Sequence, residues 1–205
     1  MEILLIILAY LIGSIPTGYI IGKLKGVDIT KTGSGNIGMA NVFRTLGFKY
    51  AIIVLIIDTI KGFIPTFLAI KLNLSVLAVL VTGLSAILGH IFTIFLKFKG
   101  GKGVATSLGV ILAISPFLAM SSFLVWLTLV VITRYSSLGS ITASLWATIV
   151  VILYQLNIIN FEIFKIKFQN KILLTFFTAF LTAFIIYKHR ENIKRILKGQ
   201  ENKLF

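Results

Sequence analysis

Long apolar runs separated by short polar segments set the rhythm of this chain. Runs over 3–22, 50–70, 74–96, 138–156 and 171–187 each come near the roughly 20 residues a helix needs to cross a bilayer. They are unbroken and lack the short alternating segments of a transmembrane barrel, so the pattern predicts helices. The region 104–133 reads either as one long kinked helix or as two short segments, 104–116 and 117–133, broken around Ser115-Pro116.

Charge chooses between those two readings. Two crossings place 15 cations on the inner side against 4 outside, whereas one crossing places 11 against 8. The stronger bias follows the rule that inner loops carry the Lys and Arg. The expected fold is therefore an all-α polytopic integral membrane protein of about seven transmembrane helices. Its N-terminus is expected outside and its C-terminus in the cytoplasm, with residues 1–205 forming a single membrane-embedded domain. The first run is not read as a signal peptide: Glu2 replaces the basic start, no small-x-small cleavage site follows, and Pro16 interrupts it.

Composition agrees with this picture. Hydrophobic residues make up 58% of the 205, charged residues only 13%, and the mean hydropathy is +1.02. The net charge of +14 lies beside apolar spans, which points to membrane lipids and anionic substrates and away from nucleic acid. Cysteine is absent, which excludes thiolate nucleophiles and disulfides; the six acids are scattered, so no metal site and no cofactor are expected. No obligate protein partner is evident.

Within the spans, Ser14, Gly18 and Gly22 form a small-residue face expected to pack against another helix. Asp58 and Lys61, three apart, are expected to pair inside the membrane, and His90 to be a hydrogen-bonded packing residue.

Three polar clusters sit between these spans. The first, 31–44 (KTGSGNIGMANVFR), holds glycines, two asparagines and one arginine, with no carboxylate. The second, 97–107, reads KFKGGKGVATS, and the third is the basic tail 188–199, where His189 and Asn192 share a helical face. All three are expected at the cytoplasmic face, and backbone amides with cations suit a phosphate-type anion. No G-x-x-x-x-G-K-[ST] and no G-x-G-x-x-G fingerprint is present. The His-x-x-x-x-Asp pattern frequent in soluble acyltransferases is also missing, since Phe95 follows His90 and Lys194 follows His189 at that spacing.

GSIPTGYIIGKLKGVDITKTGSGNIGMANVFRTLG, DTIKG, the Gly89-His90 pair, FKGGKGVAT, RYSSLGS and HRENIKRILKGQE, in that order, resemble the bacterial acyl-phosphate:glycerol-3-phosphate acyltransferases, the PlsY family. The resemblance covers essentially the whole chain. Two positions depart from it: Met39-Ala40 stands where the family usually reads Ala-Thr, and Thr93 stands where proline is common. The first removes a hydroxyl from a possible phosphate ligand; the second is expected to alter only a helix bend.

The resemblance implies transfer of a fatty acyl group from acyl phosphate to the 1-hydroxyl of glycerol 3-phosphate, at the cytoplasmic face of a bacterial inner membrane. It implies a catalytic group of Ser34, Arg44, Lys102, His189 and Asn192. Gly33, Gly35, Asn36, Gly38, Asn41, Gly100, Gly101, Gly103 and Thr106 would bind substrate phosphates, the loop amides acting as cradles. An acyl phosphate is already activated, so positioning and charge stabilisation would suffice. The alternative from a different class is a small anion or glycerol-phosphate transporter, or a lipid-binding protein without chemistry. Transporters tend to show repeats and midplane polar sites, and neither is visible here.

Overall fold

The computed structural model describes residues 1–159 and 171–205. Most of the outer loop expected at 157–170, with Lys165 and Lys167, lies outside the described residues. The elements are α1 (Glu2–Ser14), α2 (Thr17–Leu24), α3 (Met39–Leu46), α4 (Phe48–Lys71), α5 (Val76–Ile91), a 3-10 turn (Ile94–Leu96), α6 (Val104–Ile114), α7 (Pro116–Thr133), α8 (Ser136–Gln155), α9 (Lys171–Lys188) and α10 (Arg190–Leu197). No strand occurs among the described residues.

Six stretches are long and apolar enough to span a membrane: Glu2–Leu24, Phe48–Lys71, Val76–Leu96, Pro116–Thr133, Ser136–Gln155 and Lys171–Lys188. The shorter apolar α6, of 11 residues, accompanies them. The break between α6 and α7 follows from local chemistry. Ser115 caps α7 by accepting the Leu118 amide at 3.2 Å, and Pro116 occupies the first turn, where its missing N–H costs nothing.

The chain divides into two compact units: Met1–Val110 with Leu204–Phe205, and Ile111–Lys203. In the first, α1 and α5 approach closely because glycine lies on both sides. A Cβ at Gly13 would overlap the Ala86 carbonyl, and one at Gly89 would overlap the Tyr10 carbonyl. The first apolar run is not one helix, because Ile15-Pro16 splits α1 from α2. The carbonyls freed at the split find donors: Lys61 Nζ reaches Ile15 O, and Thr93 Oγ1 donates to Ser14 O. Thr93 also caps the 3-10 turn by accepting the Phe95 amide. Its role thus exceeds the altered helix bend that the sequence suggested, since it satisfies backbone that has no water to turn to.

The small-residue face Ser14, Gly18 and Gly22 meets both helices and a loop: Ser14 lies beside Gly89 of α5, and Gly18 touches Val42 of α3. Gly18 lies against the Ile37 carbonyl, and Gly22 against Ile29 and the Val27 carbonyl. Ile29, Val42, Ala51 and Val54 form a buried cluster that joins this loop to α3 and α4.

In the second unit, hydroxyls link α8 to α9: Thr182 Oγ1 donates to Ser144 O at 2.8 Å and lies 2.9 Å from Thr148 Oγ1. Trp146 Nε1 donates to Ser121 Oγ across α7 and α8. Such contacts stabilise helices in a medium where apolar burial adds little.

Candidate functional site

The loop from 25 to 38 is folded by its own side chains. The Asp28 carboxylate accepts from the Thr30 hydroxyl at 2.6 Å and the Thr30 amide at 3.1 Å. Those bonds, the hydroxyl's foremost and with Lys23 adding to them, hold the carboxyl below its ordinary range, so it is anionic throughout neutral pH. Gly33 and Gly35 turn the chain through left-handed conformations, φ +61 and +71, that other residues adopt at a cost.

Asn41, in the first turn of α3, holds this loop from below. It is 1% exposed; its Nδ2 donates to the Ile29 and Thr32 carbonyls at 3.1 and 3.0 Å, and its Oδ1 accepts the Ser34 amide at 2.8 Å. A Cβ on Gly33 would overlap that Oδ1, which explains the glycine there. Asn36 Oδ1 accepts the Gly38 amide at 2.9 Å, and the Gly35 amide donates to Thr32 O. Gly33, Ser34, Gly35, Asn36, Gly38 and Asn41 are thus brought together in one loop, with the Ser34 side chain exposed. Arg44 lies one turn beyond Asn41 in the last turn of α3, half-buried.

The second glycine segment is built the same way. The Gly100 amide donates to Ile91 O at 2.9 Å and the Gly101 amide to His90 O at 3.1 Å, folding the loop back onto the end of α5. Gly103, at φ +80, packs on Ile87 and Ile91 and leads into α6. Lys102 projects between Gly101 and Gly103, half-buried. Thr106 lies in the first turn of α6; its Oγ1 and the Ser107 Oγ are buried hydroxyls without a hydrogen-bond partner among the described residues.

These bonds narrow one expectation. The amides of Ser34, Gly35, Gly38, Gly100 and Gly101 already donate inside the protein, so they shape the loops and are not the open cradle the glycine content suggested.

In the second unit, His189 stands at the junction of α9 and α10, buried, with Nδ1 2.8 Å from the Ile185 carbonyl. A carbonyl only accepts, so Nδ1 carries the proton in this contact. Asn192 Nδ2 donates to Glu201 Oε1 at 2.6 Å; Ser137 Oγ donates to the same oxygen at 2.8 Å, and Arg195 Nε to Glu201 Oε2 at 2.8 Å. This buried carboxylate ties α8, α10 and the chain's last residues together.

Comparison with known proteins decides the class. The glycerol-3-phosphate acyltransferase family model matches residues 3–199. The chain belongs to this family. The acyltransferase of that name from Aquifex aeolicus is 45% identical over 202 residues, covering 97% of each chain. That of Geotalea daltonii is 46% identical over 201 residues, covering 98% of this chain and 96% of its own. A crystal structure of PlsY (YgiH), an integral membrane glycerol 3-phosphate acyltransferase in its glycerol 3-phosphate form, superposes with a TM-score of 0.86 at 44% identity. The alignment covers 98% of this chain and 94% of that one. The lysophosphatidic acid form of PlsY superposes at 0.84 with the same identity and coverage.

The first unit carries Arg44, Lys102 and the hydroxyls of Ser34 and Thr106, and the second carries His189 and Asn192. Among the described residues no group of three or more His, Cys, Asp or Glu could hold a metal. Sequence reasoning missed two residues of the second unit. Glu201 read as one scattered acid, although Gln200-Glu201 closes the tail motif, and Ser137 read only as part of RYSSLGS.

Proposed function

We propose that this chain transfers a fatty acyl group from acyl phosphate to the 1-hydroxyl of sn-glycerol 3-phosphate, yielding 1-acyl-glycerol 3-phosphate and inorganic phosphate. The observation that carries this reading is the full-length likeness to PlsY in two forms, one with glycerol 3-phosphate and one with lysophosphatidic acid, the acceptor and its acylated product. The whole chain acts as one acyltransferase domain in a bacterial inner membrane. Its working face is cytoplasmic, as the 15-to-4 cation bias supports.

The acceptor hydroxyl oxygen attacks the acyl carbon. The new ester bond forms as the bond between that carbon and the phosphate oxygen breaks, and the hydroxyl proton passes to the departing phosphate. Lys102 and Arg44 offset phosphate charge, most strongly on the leaving group. The exposed Ser34 hydroxyl donates to a substrate phosphate or to the acyl carbonyl. The Thr106 hydroxyl, buried without a protein acceptor, suits a phosphate oxygen at the start of α6. His189 and Asn192 position glycerol 3-phosphate. In the first unit, the loop glycines with Asn36 and Asn41 keep the Ser34 loop in shape.

The test follows phosphate release by purified protein in lipid nanodiscs. Release that requires both acyl phosphate and glycerol 3-phosphate is expected; no release, together with glycerol 3-phosphate uptake by proteoliposomes, would assign the protein to transport instead.

A further inference from the structure

A buried polar group in the first unit takes no part in the chemistry described so far. Asp58 and Lys61 on α4 and His90 on α5 are each nine-tenths or more buried within apolar helices. Charged groups at such depth are costly and persist where they perform a task. Asp58 Oδ1 is the common point. Lys61 Nζ lies 2.6 Å from it, the Thr17 hydroxyl donates to it at 2.9 Å, and His90 Nδ1 stands 3.9 Å away. Lys61 also reaches the Ile15 carbonyl at the α1–α2 break. The group is therefore anchored to three helices.

The other edge of His90 faces the glycine loop. A Cβ on Gly101 would overlap His90 Nε2, and one on Gly100 would overlap the His90 carbonyl. That carbonyl also accepts the Gly101 amide. The imidazole thus lies between Asp58, 3.9 Å away on one side, and the backbone just before Lys102 on the other. α6, which follows Lys102, is pressed onto the same helix that carries Asp58. Gly62 meets the Thr106 carbonyl there, and Gly109 meets the Thr59 carbonyl.

We infer that His90, packed between the Asp58 group and the Gly100–Gly103 loop, is a positioning residue that sets the place of Lys102 by backing that loop. It touches no substrate; it fixes where the cation stands when leaving-group charge develops. This rests on the role given to Lys102 above.

The test is a double-mutant cycle on purified enzyme. His90→Ala and Gly101→Ala should each lower kcat by about ten- to a hundredfold, the scale of a small misplacement, with KM for both substrates little changed. The His90→Ala/Gly101→Ala double variant removes the ring that the new methyl would strike. It should be no slower than Gly101→Ala alone. Losses that multiply in the double variant, or a His90→Ala enzyme with normal kcat, overturn the inference. Should Gly101→Ala fail to fold, His90→Gln carries the test, because its side-chain amide can stand where Nε2 stands. It should recover most of the kcat lost in His90→Ala, and a Gln variant as slow as the Ala variant is the contrary result. Lys102→Met is the control for the underlying reading. If it retains full activity the role of Lys102 fails, while the cycle still reports on the contact between His90 and Gly101.

Discussion

At the scale of single residues, the first glycine loop is held by one amide side chain. Asn41 has three hydrogen bonds to loop backbone, and few side chains could replace it, since it must donate twice and accept once in a buried place. Asn41→Ala leaves the Ile29 carbonyl and the Ser34 amide without this partner, each costing about 1–3 kcal/mol if it stays buried, while the Thr32 carbonyl keeps the Gly35 amide. The expected outcome is a lowered unfolding midpoint and a rise in KM, read by thermal unfolding in detergent and steady-state kinetics. His189 illustrates a different constraint. With Nδ1 committed to the Ile185 carbonyl, it presents Nε2 to its surroundings. If the substrate's own phosphate takes the hydroxyl proton, His189→Gln retains measurable turnover and loses mainly glycerol 3-phosphate affinity. A collapse of kcat at unchanged KM would instead assign the proton to His189. At this scale the chain marks out the glycines, asparagines and lone cations between its apolar runs. It does not mark which of their atoms the fold uses internally. Composition suggests that glycine amides face the anion, whereas the folded loops use the amides of Ser34, Gly35, Gly38, Gly100 and Gly101 internally.

At the scale of elements, the spans could be read from hydropathy to within a few residues, and the break at Ser115-Pro116 from its proline. The split at Ile15-Pro16 was less visible, because the apolar run continues through it. Its stability depends on residues distant in sequence, Lys61 and Thr93, which no local pattern reveals. The same holds for Glu201, whose three partners lie on α8 and α10. The α4 pair yields a prediction of its own. Asp58→Ala leaves Lys61 buried without its carboxylate, and breaking such a pair costs about 3–5 kcal/mol. Thermal unfolding should show a clear drop for Asp58→Ala. An Asp58→Leu/Lys61→Met double variant should regain much of that loss, because it removes both charges together. Equal midpoints for the single and double variants would contradict a buried pair.

At the scale of the whole molecule, the proposed reaction joins two phosphate-bearing compounds on a protein solvated by lipid. That explains why cations outnumber acids 20 to 6 although charged residues are only 13% of the chain. Under that proposal the donor is already activated, so no nucleophilic triad is needed, and groups that hold and neutralise anions suffice. The most direct measurement counts products from purified enzyme supplied with glycerol 3-phosphate and, in parallel, acyl phosphate, acyl-CoA or acyl-carrier protein as donor. One phosphate released per lysophosphatidic acid formed, with acyl phosphate and with neither thioester, is the predicted result. Lysophosphatidic acid formed from a thioester donor, or none formed from acyl phosphate, would contradict the account.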